Sequence, residues 1–298
     1  MFKLKLGIVL KILSEFVYVF FENTIYICNT KGNLRHNKEI PITGDQVFFE
    51  IINKDKNQGM IQKINPRKNQ LYRPKIANID QAIIVTSLRE PNFNTLTLNK
   101  YLFFIETLSI EPVLLFTKTD LLNKDDKDYL KALEYFKLGY KTIFISNVFK
   151  VDEDFHSLEE VVKDKVSVFT GQTGAGKSTT LNNLIPNLFE KTQEISKSLN
   201  RGKHTTTKNE LFHYNSGLIA DSPGFSSFQL KDISPIDITN GIRLFKNYRM
   251  KCKFNNCIHI NTPKCEVIKQ LELNNIPKFI YNDYVKVQNE LKDSFKKG

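Results

Sequence analysis

The chain has 298 residues, 41% of them apolar and 25% charged, which suits about two domains of ordinary soluble composition and argues against disordered, collagen-like or membrane classes. Forty-three Lys and Arg against 32 Asp and Glu leave a formal charge of +11. That surplus points to a polyanion, either nucleic acid or an anionic membrane, unless AT-rich coding alone explains the abundance of Lys, Asn, Ile and Phe.

From Met1 to Phe20 the apolar runs are broken by Lys3, Lys5, Lys11 and Glu15. No 18-residue apolar stretch and no small-residue cleavage site is present, so the expectation is a cytoplasmic protein with no membrane partner. Short β runs follow one another at Leu4–Leu13, Phe16–Phe21, Thr24–Cys28 and Gln46–Ile52, divided by Lys31-Gly32-Asn33 and Thr43-Gly44-Asp45. Strands joined by turns predict a small barrel over residues 1–70. Cys28 falls inside one of these strands, where it reads as a small apolar residue.

From about Leu71 the rhythm changes to strands alternating with helices, as in a parallel sheet with crossover helices. Predicted strands are Gln81–Thr86, Pro112–Phe116, Thr142–Ile145, Val166–Thr170 and Leu218–Ala220; helices are expected near Leu98–Leu108, Asp126–Lys137, Leu158–Val162 and Lys177–Leu184. After about Lys231 come a Cys/His cluster and an amphipathic helix opened by Pro277. The division expected is 1–70, 71–230 and 231–298.

The strand ending at Thr170 runs into Gly171-Gln172-Thr173-Gly174-Ala175-Gly176-Lys177-Ser178-Thr179, and a helix follows. This is a Walker A P-loop in its required context. Its glycines let backbone N–H groups turn inward around a β-phosphate, and the helix N-terminus adds its positive end. Lys177 is placed to neutralise β- and γ-phosphate oxygens, and the Ser178 hydroxyl to hold Mg²⁺. Leu218-Ile219-Ala220 delivers Asp221, followed by Ser222-Pro223-Gly224. Asp221 is expected to share the Mg²⁺ with Ser178, and the Gly224 N–H to approach the γ-phosphate.

Pro112–Phe116 ends in Thr117-Lys118-Thr119-Asp120, which resembles the Asn-Lys-x-Asp guanine element of GTPases. A carboxylate accepts from both N1–H and the 2-amino group of guanine, and adenine offers neither, so Asp120 selects the base. Lys118 is expected to lay its alkyl stem on the purine. Thr117 stands where that pattern has Asn, removing an amide that normally ties this loop to the P-loop and the base. Ser146-Asn147 is similar to the Ser-Ala element whose main-chain N–H meets guanine O6. Asp120 precedes the P-loop in sequence, so the order is circularly permuted relative to an ordinary G domain.

Between the P-loop and Asp221 lies a polar loop with Gly202-Lys203-His204-Thr205-Thr206-Thr207. With the permuted order, the barrel, the trailing cluster and Tyr72-Arg73-Pro74-Lys75-Ile76-Ala77-Asn78-Ile79-Asp80-Gln81 at the junction, the chain resembles the bacterial RsgA (YjeQ) family of small-ribosomal-subunit biogenesis GTPases. The resemblance implies an α/β fold: a permuted P-loop GTPase domain between an N-terminal OB-fold RNA-binding barrel and a mostly helical, zinc-binding C-terminal domain. It implies GTP hydrolysis stimulated by the small subunit, with that subunit and its rRNA as partners and a monomer as the working form. One of Thr205, Thr206 and Thr207 would reach Mg²⁺. No Gln follows Asp221-Ser222-Pro223-Gly224, where Phe225 stands instead, so His204 is the candidate to position water, or else only structures the loop.

Cys252-x4-Cys257-x-His259-x5-Cys265 offers three thiolates and an imidazole. Such a closed set suits one structural zinc ion. Two other readings remain open: a permuted GTPase acting on another RNA or the large subunit, and a nucleotide-gated RNA-binding module with negligible hydrolysis. Residues 1–70 hold 11 basic and 6 acidic side chains, residues 71–230 hold 19 of each, and residues 231–298 hold 13 and 7. The surplus sits on the flanks, Lys31, Arg35 and Lys38 included, as RNA binding around a neutral nucleotide domain would require.

Overall fold

Alternation of buried and exposed side chains in five strands closes a barrel in the computed structural model, which describes residues 3–32, 40–149, 152–186, 188, 209–222 and 233–296. The chain divides into two compact units. The first comprises Met1–Gln81, His156–Thr170 and Ser178–Phe225; the second comprises Ala82–Phe155, Gly171–Lys177 and Ser226–Gly298.

In the first unit the barrel strands are β1 (Lys5–Leu13), β2 (Phe16–Phe21), β3 (Thr24–Thr30), β4 (Gln46–Asn53) and β5 (Gln58–Ile64). They close in the order β1-β2-β3-β5-β4, with β1 antiparallel to β4 and β3 parallel to β5, an OB-like arrangement. Inward residues Val9, Val17, Val19, Tyr26, Cys28, Val47, Phe49 and Ile61 form its core. Burial pushes the Cys28 thiol up to about 12, so it packs as the apolar residue expected. Strand β5 is absent from the sequence reading because Lys54 to Gln58 is an unbroken polar run. That run is a hairpin turn, in which the Lys56 N–H donates to Asn53 Oδ1 at 2.9 Å.

The junction motif has a physical task in this unit. A short hairpin, β6 (Gln70–Tyr72) and β7 (Lys75–Ala77), follows the barrel. Asp45, fully buried, accepts two bonds from Arg67 at 2.7 and 2.9 Å, and Asn78 Nδ2 donates to the Gly44 carbonyl at 3.0 Å. Asp80 Oδ2 accepts the Val166 N–H at 2.7 Å, and Gln81 Nε2 donates to Ser167 Oγ at 2.9 Å and the Val161 carbonyl at 2.7 Å. The motif therefore clamps the start of β11 (Val166–Gly171), the strand that leads to the P-loop. Within this unit β11 pairs in parallel with β13 (Gly217–Asp221), and β12 (Leu211–Tyr214) pairs antiparallel to β13.

In the second unit the strand order is β10 (Lys141–Phe144), β9 (Glu111–Thr117), β8 (Gln81–Ser87), whose first residue belongs to the first unit. Both β8 and β9 are apolar on both faces and almost wholly buried, as parallel-sheet strands are. Helix α1 (Thr95–Thr107) starts at Asn94, whose side chain accepts the Thr97 N–H. Helix α2 (Lys127–Lys137) starts at Asp126, which with Asp128 forks around the Arg89 guanidinium. The helix predicted near Leu158–Val162 is longer, α3 (Asp152–Val162), and belongs to the first unit from His156 on, as the P-loop helix α4 (Lys177–Leu184) does from Ser178 on.

Among its described residues the second unit also holds α5 (Pro235–Gly241), α6 (Arg243–Arg249), α7 (Glu266–Glu272) and α8 (Lys278–Lys296). A capping box of Ser234 and Asp237 starts α5. Tyr284 of α8 meets Phe103 of α1 and Phe245 of α6 edge to face, and Asn99 of α1 is hydrogen-bonded to Asp283 at 2.9 Å. These contacts join the C-terminal helices to α1. Among the described residues no helix is long and apolar enough to cross a membrane.

Candidate nucleotide and metal sites

Thr117 ends β9 fully buried, and its hydroxyl donates to the Ala175 carbonyl at 2.6 Å. One hydroxyl thus makes the tie to the P-loop that the missing Asn would have made. Lys118 turns the chain with a left-handed φ of 58°, and its ammonium group donates to the Glu90 carbonyl. The sequence reading missed this carbonyl, although Arg89-Glu90-Pro91 at the end of a strand is the signal that could have found it. Thr119 and Asp120 begin a 3-10 turn (Thr119–Leu121), held where the Thr119 N–H meets the Ile145 carbonyl at 3.4 Å. Asp120 is half-buried, and its Oδ1 is buried without a hydrogen-bond partner. A carboxylate oxygen left so is ready for an incoming donor.

Ser146 is buried and its Oγ accepts the Val148 and Phe149 N–H groups, both at 3.2 Å, which fixes the turn carrying Asn147. The P-loop runs past these residues. Gly171, Gly174 and Gly176 all have positive φ, and a Cβ on Gly171 would lie 2.1 Å from the Val85 carbonyl oxygen. Only glycine fits there. A Cβ on Gly176 would lie 3.1 Å from Asn147 Nδ2 and 3.5 Å from Thr117 Oγ1. Thr117, Asn147, Ala175 and Gly176 therefore come together in one unit, from segments remote in sequence.

Gln172 is half-buried and its carbonyl accepts the Ala175 N–H at 3.1 Å; Thr173 and Gly174 are exposed. Lys177, half-buried, opens α4, and Ser178 and Thr179 are exposed on its first turn. In the first unit Asp221 ends β13 half-buried, in register with Phe169, and the Ser222 N–H donates to the Phe169 carbonyl at 3.1 Å. A hydroxyl and a carboxylate are the hard oxygen donors that suit Mg²⁺. His204, Thr205, Thr206, Thr207 and Gly224 lie outside the described residues, as do Arg35 and Lys38.

The ligand atoms of Cys252, Cys257, His259 and Cys265 all lie within 4.8 Å of one another. Cys252 and Cys265 sulfurs are 3.9 Å apart, and His259 Nδ1 stands 3.6 Å from the first and 3.3 Å from the second. A tetrahedron with Zn–S of about 2.3 Å and Zn–N of about 2.0 Å has edges of about 3.8 and 3.5 Å, so the donor set fits zinc. Burial, then the positive charge of Arg249, brings the His259 imidazole down to about 4, which keeps its lone pair free for a metal. Burial, with Cys257 and Cys252 alongside, pushes the Cys265 thiol up to about 12. Thiols so crowded ionise together with a cation among them. His259 has a left-handed φ of 56°, and Tyr281 and Tyr284 donate to the carbonyls of His259 and Ile258 at 2.8 and 2.7 Å.

Comparison with known proteins agrees over nearly the whole length. The profile of the RsgA GTPase domain matches residues 64–231, and that of the RsgA N-terminal domain matches residues 6–61. The chain belongs to the RsgA GTPase family. An RsgA relative from Oceanobacillus iheyensis, named small ribosomal subunit biogenesis GTPase RsgA 2, is 43% identical over 96% of this chain and 97% of its own. One from Halalkalibacterium halodurans is 39% identical over 98% of each. Among solved structures, YloQ, described as a circularly permuted GTPase, superposes with a TM-score of 0.81 at 32% identity over 98% of this chain and 96% of its own. YjeQ from Thermotoga maritima superposes at 0.84 with 29% identity, over 97% and 99%. RsgA membership accounts for the permuted order, the OB-like barrel and the trailing helical region with its Cys/His cluster, and implies a guanine nucleotide and Mg²⁺.

Proposed function

We propose that this chain hydrolyses GTP in late maturation of the small ribosomal subunit, with turnover stimulated by the subunit and linked to release from it. The observation that carries the guanine assignment is the partnerless buried oxygen of Asp120, held beside the Thr117 tie to the P-loop. Asp120 accepts from guanine N1–H and the 2-amino group, Lys118 covers the purine, Thr119 keeps the turn, and Ser146-Asn147 presents a main-chain N–H to O6. Gly171 to Thr179 cradle the phosphates of GTP or GDP, with Lys177 on the β- and γ-oxygens. Ser178, Asp221 and one of Thr205 to Thr207 hold Mg²⁺, which when bound neutralises charge on the phosphates. The Gly224 N–H senses the γ-phosphate, and His204 orients the attacking water. Three portions share the work: an RNA-binding barrel over 1–70, the GTPase over 71–230, and a region over 231–298 organised by one structural zinc. The partners are the subunit and its rRNA; the chain acts as a monomer in the cytoplasm, without a membrane.

GTP turnover measured with and without purified small subunits tests this reading. Strong stimulation is expected. No turnover in either condition would leave a nucleotide-gated RNA-binding module instead, and equal affinity for ATP and GTP would remove the role of Asp120.

A further inference from the structure

We propose that the side-chain carboxamide of Asn147 is a purine-selecting donor aimed at N7 of the base, supplying what position 117 cannot. This rests on the reading that a purine nucleotide occupies the loop cluster, and it goes beyond the main-chain role given to Asn147 above. N7 is an acceptor and needs a donor. Thr117 has a single hydroxyl proton, and that proton is directed at the Ala175 carbonyl at 2.6 Å. Thr117 can close the loop onto the P-loop, but it has no second proton for the base.

The missing donor stands beside it. A Cβ on Gly176 would lie 3.1 Å from Asn147 Nδ2 and 3.5 Å from Thr117 Oγ1, so amide, hydroxyl and P-loop backbone converge on one point. Gly176 has a φ of +86° and leaves that point open for the amide. A carboxamide carries two N–H donors, so one can serve the protein while the other faces a ligand. The frame around it is fixed: Ser146 Oγ accepts the Val148 and Phe149 N–H groups, and the Thr119 N–H reaches the Ile145 carbonyl. O6 and N7 are neighbours on one edge of guanine. One residue, with its main chain toward O6 and its side chain toward N7, can span that edge while Asp120 takes the N1 and 2-amino side.

The test is the affinity ratio between GDP and 7-deaza-GDP, in which N7 is replaced by C–H, measured for the full chain, for Asn147→Ala and for Asn147→Ala/Thr117→Asn. The unaltered chain should bind GDP about five- to tenfold tighter than the deaza analogue, the value of one neutral hydrogen bond. In Asn147→Ala the ratio should fall to about one, and Thr117→Asn should restore it. A general loss of stability would weaken both ligands alike and leave the ratio unmoved. An unchanged ratio in Asn147→Ala, or none in the unaltered chain, overturns the proposal. Equal affinity for GDP and ADP would instead overturn the guanine role of Asp120; adenine also carries N7, so 7-deaza-ADP would still decide the case of Asn147.

Discussion

The four cluster ligands fall between Cys252 and Cys265, whereas Thr117, Asn147 and Gly176 meet from three separate segments. Both arrangements lie in the second unit, yet different things hold them. In the cluster, short turns bring three thiols and an imidazole together, and the buried charge they would carry needs a cation to balance it. In the nucleotide loops, buried strands set the positions, and a 2.6 Å bond between residues 58 apart joins two loops without any ion. A site closed over a short stretch depends on its ligand to stay folded. A site assembled by a sheet keeps its shape and waits for its ligand.

Cys257→Ser tests the first half of that contrast and has the largest expected effect. Structural zinc is worth about 10 kcal/mol or more to a small site, so metal should be lost and amide protection around residues 252–265 should collapse while GDP binding survives. Full zinc stoichiometry in that variant would sink the assignment. Asp120→Asn tests the second half. Two charge-assisted bonds of about 1.5–3 kcal/mol each should cost GTP affinity roughly a hundredfold or more, with xanthine nucleotides preferred because an amide can donate to their O2. Unaltered competition by XTP would contradict it.

Glu106 sharpens the contrast, because it joins α1 to the C-terminal helices. Burial pushes its carboxyl up to about 7, against the Arg243 N–H, the Tyr140 hydroxyl and the Arg243 charge, which lower it; Glu111 nearby adds to the rise. The folded chain therefore holds this proton more tightly than the unfolded chain, and stability should decline as pH rises from about 4.5 to about 7. The span is worth about 3 kcal/mol. Denaturation across that range should show the decline, and Glu106→Gln should flatten it. Thr117→Val is the mildest change: a buried carbonyl loses its donor, at a cost of about 1–2 kcal/mol. Thr117→Ser should keep most of what Thr117→Val loses when the two are unfolded side by side.

The same difference in sequence range explains what could be read beforehand. The Walker A loop, Asp120 and the cluster are local patterns; the first two follow the strands expected before them, β11 and β9. Strand β5 escaped notice because the polar turn before it hides its alternation, although Gly59-Met60-Ile61 is readable once a strand is sought to close the barrel. The short helices α5, α6 and α7 are too brief to show a period. The pairing of Thr117 with Ala175 and the approach of Asn147 to Gly176 were out of reach, because no spacing rule relates such distant positions.

The clamp of Asp80 on Val166 also sets an order of events during synthesis. The five barrel strands are complete by Ile64, but the carboxylate of Asp80 must wait 86 residues for the N–H it holds. At roughly 5–20 residues per second that delay is roughly 4–17 seconds. A nascent chain can thus complete its five barrel strands while its phosphate strand has yet to leave the tunnel, and the strand that leads to the P-loop is clamped only afterwards.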